Sequence, residues 1–159
     1  MPTDMLQFNV SIDAFAKKVG LAPSLVVKRV AFDLFGRIVR KTPVDTGRAR
    51  ASWNISVGAP DRSVVRAVRT TVGPGVNTKL AKRAKIQAVT KLALQPLRTT
   101  EFTVQPGESM WISNNLPYIV TLEEGHSKQA PAGMVALSIA EVNVSMSKLI
   151  QAGIGDAGL

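Results

Sequence analysis

The sequence predicts an α+β fold, with an antiparallel β-sheet packed with a long N-terminal helix and a C-terminal helix, plus a basic helical arm. Three observations carry that expectation. Apolar residues recur at helical spacing near both ends of the chain, at Val27, Val30, Ala31, Leu34 and Ile38, and again at Val135, Ile139, Val142, Met146 and Leu149. Between them, the run Trp53, Ile55, Val57 alternates with the period of two that a half-buried strand requires. A third stretch, about residues 76–98, is helical in pattern and basic, with no acid in it. At 159 residues and 45% hydrophobic content, the chain is expected to form a single domain over 1–159 with this arm at about 76–98.

Taken in order, a short helix is expected around Ile12 to Val19, ended by Gly20, and a long one from Ser24 to Lys41 with Pro23 in its first turn. Arg29, Asp33, Arg37 and Lys41 fall on the polar face of the long helix. Pro43 disfavours helical geometry at Thr42 and ends it. In "TPVDTGRARASW" (42–53), Asp45 is expected to cap a new turn by accepting bonds from amides two and three residues on, and Gly47 to allow close backbone approach. Arg48 to Ser52 continue helically, and Trp53 begins the first strand. Valine and threonine enrichment predicts a second strand over Ser63 to Val72, followed by the turn Gly73-Pro74-Gly75. The arm's helix runs from Lys79 to Leu97, with Leu80, Ala84, Ala88, Leu92 and Pro96 in one row. Glu101 to Val104 and Met110 to Ser113 read as a hairpin across Pro106-Gly107. Pro117 opens a short helix through Glu124, closed by Gly125, and the last helix sets Ser138, Glu141, Ser145 and Lys148 opposite its apolar face. Residues 152–159 form a small Gly/Ala-rich tail.

The chain has no cysteine, which excludes disulfides, thiolate metal sites and a cysteine nucleophile and suits a reducing cytoplasm. No apolar run approaches a membrane span, and nothing at the N-terminus reads as a signal peptide, so no membrane partner is expected. Charge is segregated. Residues 1–100 hold 18 Lys+Arg against 5 Asp+Glu, and residues 101–159 hold 2 against 6. Such asymmetry serves either a nucleic-acid face or head-to-tail association of copies.

Candidates for catalysis are few. His126 is the only imidazole, and "EEGHSKQAP" supplies neither a ligand spacing nor the second and third groups of a triad. Glu123 and Glu124 diverge by about 100° on a helix and cannot flank one bond. "GPGVNTK" has Thr78 where a phosphate loop requires glycine. No catalytic, cofactor-binding or metal-ligating residue is expected. Lys79, Lys82, Arg83 and Lys85 are the candidate DNA-facing residues; without interleaved aromatics they would track phosphates and read no sequence. The same cations could instead meet the acidic half of a neighbouring copy.

Two stretches together resemble a known family. "TPVDTGRARASW" is similar to the corner motif, and "NNLPYIVTLEEGHSKQAPAGMV" (114–135) to the C-terminal motif, of the small neck or tail-completion proteins that join head to tail in tailed bacteriophages. In the second, Asn115, Pro117, Tyr118, Leu122, Glu123, Gly125, Ser127, Gln129, Ala130, Pro131, Gly133, Met134 and Val135 follow the family's order and spacing. Ala49 stands where the family often has leucine, and Ile119 where it often has alanine. The resemblance implies a noncatalytic virion protein, assembled in the host cytoplasm and forming a ring at the head–tail junction. A hexamer is favoured and a dodecamer possible. Its partners would be other neck, portal-adaptor or tail-tube proteins, with nonspecific contact to packaged double-stranded DNA.

The resemblance also implies interface roles. Asp45 and Gly47 would fix the corner, and Arg48 and Arg50 would project toward carboxylates or a partner. Trp53 and Tyr118 each have two readings, core and interface. Glu123 either pairs with Arg50 or a neighbouring arginine or is a solvated helix end, and His126 and Gln129 lie in a loop able to dock on an adjoining ring. The competing expectation is a small monomeric nonspecific DNA-binding protein.

Overall fold

The computed structural model describes residues 17, 20, 23–66, 68, 79–105 and 107–151. Its elements are α1 (Pro23–Lys41), α2 (Arg48–Ala51), β1 (Asn54–Val57), α3 (Lys79–Ala93), α4 (Pro96–Thr99), β2 (Met110–Ser113), α5 (Ile119–Glu123) and α6 (Val135–Gln151). The α+β class follows. Helices pack on a two-stranded antiparallel sheet in which Ile55 faces Ile112 and Val57 faces Met110.

Helix α1 is the spine because it is apolar on two sides. Ala31, Phe35, Ile38 and Val39 enter the main core with Trp53, Ile55, Ala93, Phe102 and Met134, while Val26 packs with Val142 and Met146 of α6. A fully buried side chain of this size contributes about 1.5–3 kcal/mol, so Phe35, Ile38 and Val39, at 1% exposure or less, make α1 the costliest element to disturb. The expected apolar row therefore covered part of the buried surface and left out Val26, Phe35 and Val39. Ion pairs span the α1–α6 crossing beside this apolar contact: Glu141 accepts from Lys41 Nζ at 2.7 Å and from Arg37 Nη1 at 3.0 Å, and Arg37 Nε also binds Asp33 at 2.9 Å.

Several expectations are corrected. Met110–Ser113 is a strand, but its partner is β1 and not Glu101–Val104, because pairing with β1 puts Ile112 and Met110 on the face that already holds Ile55 and Val57. Glu101 to Val104 is irregular; Phe102 leaves it to stack edge-on against Phe32, with ring centroids 5.3 Å apart. Ser63 to Arg66 is irregular too, since side chains and not a backbone ladder hold it: Asn54 Nδ2 donates to Ser63 O at 2.8 Å, Arg48 Nε to Val65 O at 3.0 Å, and Val65 N to Ser52 Oγ at 3.2 Å. The rest of that expected strand, except Val68, lies outside the described residues.

The arm's helix stops at Ala93 and restarts at Pro96, whose ring cannot continue the α3 bond ladder. Its buried face is Val89 and Ala93, not the row Leu80, Ala84, Ala88, Leu92, so the C-terminal half of the arm belongs to the core. On α6, Val142 and Met146 are buried and Val135 packs on the core as expected, but Ser138 is buried where Ile139, 36% exposed, was expected. The Ser138 hydroxyl satisfies itself by donating to Met134 O at 2.6 Å, which is how a serine comes to be tolerated there. Of the expected first helix only Lys17 is described, and it is helical. The turn at 73–75, the side chains of Lys148 and Leu149 and the tail 152–159 lie outside the described residues. No described helix is long and apolar enough to cross a membrane.

Candidate functional site

The stretches 42–53 and 114–135 meet at the C-terminal end of α1. Thr42, fully buried, is the centre of this corner. Its hydroxyl donates to Ile38 O at 2.7 Å and accepts from Trp53 Nε1 at 2.8 Å, so one side chain closes the helix and orients the indole just before β1. A helix end leaves carbonyls without intrahelical partners, and here Arg50 supplies the donors. Its Nε and Nη2 donate to Thr42 O at 2.9 and 2.6 Å, Nη2 also reaches Arg40 O at 2.9 Å, and Nη1 reaches Thr90 Oγ1 at 2.6 Å. The Thr90 hydroxyl in turn donates to Ile86 O. A cation at a helix C-terminus also meets the negative end of the macrodipole. Burial lowers the Arg50 pKa from its ordinary value, the signature of a guanidinium taken from water without a carboxylate beside it.

Arg50 is therefore a clamp between α1, α2 and α3 and does not project toward a partner; its side chain faces inward because that is where unpaired carbonyls are. Glu123 does not pair with it either. The carboxylate crowns the N-terminus of α6, accepting from Met134 N and Val135 N at 2.8 Å and from Ala136 N at 2.9 Å. Gly133, at φ 73°, leaves room for this, since a Cβ there would come within 2.8 Å of Glu123 Oε1. Asp45 is exposed and caps nothing among the described residues; α2 has Gly47 at its N-cap, and Thr46 Oγ1 accepts from Arg48 N at 3.3 Å in its place. Gly47 does serve close approach: at φ 88° its backbone lies against Val89, and a Cβ would sit 2.8 Å from Val89 Cγ2.

Two amide side chains join the stretches. Gln129 accepts from Val44 N at 3.1 Å and returns a bond to Val44 O at 3.5 Å, pairing with the backbone as a strand would. Asn114 Nδ2 donates to Ala49 O at 2.9 Å while its Oδ1 accepts from Leu116 N at 3.2 Å in an Asx-type turn. Trp53, 7% exposed, is core. Tyr118 is exposed at the start of α5, and His126 is exposed with Nδ1 3.2 Å from Thr121 O. A cleft of about 280 Å³ opens over the corner between Arg40, Lys41, Pro131 and Leu137.

No family model, no curated protein and no solved structure matches the chain. The site is thus read from its own geometry. Among the described residues no group of three or more His, Asp or Glu stands close enough to hold a metal ion. On α3, Lys79, Lys82 and Arg83 are exposed and Lys85 is half-buried, apart from the corner and toward the other end of the helix from Val89. Thr42 and Thr90 were not singled out in the sequence. Thr42 had a signal, a hydroxyl residue between the end of a helix and a proline, where back-bonding to the residue four earlier is common; Thr90 had none, because only the fold brings it to Arg50.

Proposed function

We propose that the protein is a noncatalytic structural subunit that forms a ring at the head–tail junction of a tailed bacteriophage, around the channel through which DNA passes. The observation that carries this reading is that residues 42–53 and 114–135, the two stretches bearing the resemblance, pack on each other through Asn114–Ala49 and Gln129–Val44. Their polar groups are spent on backbone. Arg50, Glu123, Trp53 and Gln129 each hold a helix end or turn in place, which suits a rigid building block and spends these groups on structure. A ring of copies would need one surface to fit a different surface on the next.

The reading is tested in the phage that encodes the chain. Loss of the protein is expected to yield DNA-filled heads and separate tails, and normal joined particles would overturn it. His126→Ala should leave joining intact, and a metal-dependent activity lost in that variant while the fold survives would refute the noncatalytic reading. The exposed cations of α3 favour one other reading, a monomeric protein bound to DNA through phosphates alone. Light scattering of purified protein at high concentration, free of DNA, separates the two by mass.

A further inference from the structure

Among the described residues, the C-terminal half of α3 is seated through Val89 and Ala93 and the Arg50–Thr90 bond. On its other side Leu80, Ala84, Ala88 and Leu92 follow one another at i+4 spacing, all exposed, Leu80 at 77%. A row of that spacing is a ridge of the kind helices pack with. Scattered exposed leucines need no explanation, but an aligned row on a docked helix leaves its apolar side without a cover among the described residues. The two alanines in its middle make a shallow notch between the leucines. Arg83 and Lys85 border the row, and no acid occurs anywhere from Lys79 to Thr99. A complementary surface must therefore be apolar in the centre and acidic at the edge.

That surface exists on this chain. On α5, Val120 is 62% exposed, and Glu124, one turn later at the helix's C-cap, is exposed and is free of any ion pair among the described residues. Both surfaces are open to solvent on the same copy, so neither covers the other. We infer that the α3 row of one copy docks on the Val120–Glu124 face of α5 of a second copy, with Val120 in the Ala84/Ala88 notch and Glu124 against Arg83 or Lys85. The two surfaces differ, so each copy uses one toward each neighbour and the contact propagates head to tail, closing into a ring or running on as a filament. This inference rests on the reading of the protein as a ring subunit and assigns that ring its contact.

The absence of cysteine makes the test direct. Two single variants, Ala84→Cys and Val120→Cys, both at exposed positions, are mixed at high concentration after nuclease treatment and oxidised. The mixture is expected to give a disulfide-linked pair at least tenfold in excess of the product from either variant alone, and the double variant a ladder of oligomers. Glu124→Lys should lower the yield at least tenfold, and Arg83→Glu or Lys85→Glu added to it should restore it. No mixed product, or an Ala84→Cys self-product as abundant as the mixed one, overturns the contact. A product that forms only when DNA is added overturns it too, and assigns α3 to phosphate contact. Rings at the junction without this cross-link refute the contact and spare the phage reading, whereas cross-linked oligomers of a chain absent from virions do the reverse.

Discussion

Replacing Arg50 tests the claim that one buried guanidinium holds the corner. In Arg50→Ala the carbonyls of Thr42 and Arg40 and the hydroxyl of Thr90 lose a donor together. Each buried polar group left unpaired costs about 1–3 kcal/mol. The cleft beside Thr42 and Arg50 admits water to part of this site, so the expected total is about 2–4 kcal/mol and not the full sum. For a chain of this length that is a fall in Tm of roughly 5–15 °C, or about 1–2 M in urea midpoint at a slope near 2 kcal/mol/M. Arg50→Lys keeps the charge but replaces a fork reaching three acceptors with a point donor, and should lose about half as much. Arg50→Met keeps the stem and removes the cation; it should fall between wild type and Arg50→Ala. Urea unfolding followed by tryptophan fluorescence and circular dichroism orders the four proteins. A Met variant as stable as wild type would refute the argument, because it would show that the cost of burying the cation, visible in its lowered pKa, outweighs the bonds it makes.

Three further outcomes are expected. Gly47→Ala places a Cβ 2.8 Å from Val89 Cγ2 at a left-handed φ of 88°, costing about 2–4 kcal/mol; adding Val89→Ala should relieve the clash but not the backbone term, a coupling of about 1–2 kcal/mol in a double-mutant cycle. Glu123→Gln retains one acceptor oxygen and turns an NH₂ toward amides that need acceptors, so about 1–3 kcal/mol is lost, and the amides of Met134, Val135 and Ala136 should exchange with solvent faster. Lys41 first, then Arg37, hold Glu141 below the ordinary carboxylate range. A lowered folded-state pKa stabilises above the unfolded value, so the contribution is intact at neutral pH and lost as pH falls through the lowered value. Glu141→Gln should flatten that acid limb of the stability profile, and an unchanged limb would show that the ion pairs are not coupled to folding.

How legible this fold was depended on whether a residue's partner is near in sequence. Helices α1 and α6, the Pro43 stop, the strand from Trp53 onward and the freedom needed at Gly47 followed from periodicity and backbone chemistry. Strand Met110–Ser113 was readable as a strand, but its partner was not, because Glu101–Val104 and Asn54–Val57 offer similar patterns and only the shared face of Ile55 and Ile112 decides. The arm's buried side was misread for a related reason. Its most regular apolar row points away from the body, while Val89 is buried by a glycine some forty residues earlier whose fit no local pattern announces. Arg50 and Glu123 looked like partners because they are opposite charges in the two motif-bearing stretches; each instead satisfies the nearest orphaned backbone groups, a demand that exists only once α1 ends and α6 begins where they do.

The contacts around Thr42 and those of the sheet differ in how much chain each must close, and this orders them in time. Thr42 meets Ile38, Arg50 and Trp53 across separations of 4, 8 and 11 residues, whereas the sheet's neighbours Gly58 and Trp111 are 53 apart. Short loops close within about 10–100 ns, and the entropy of closure rises with loop length. The corner can therefore nucleate on the end of α1 before β2 arrives, and the sheet adds its pairing to a surface already set. Substitutions at Thr42 are expected to slow refolding in proportion to their destabilisation, and those at Ile112 chiefly to speed unfolding. Because closure entropy grows only with the logarithm of length, about 0.6 kcal/mol per doubling, residues added at the exposed Gly107 turn should leave the refolding rate of the corner unchanged.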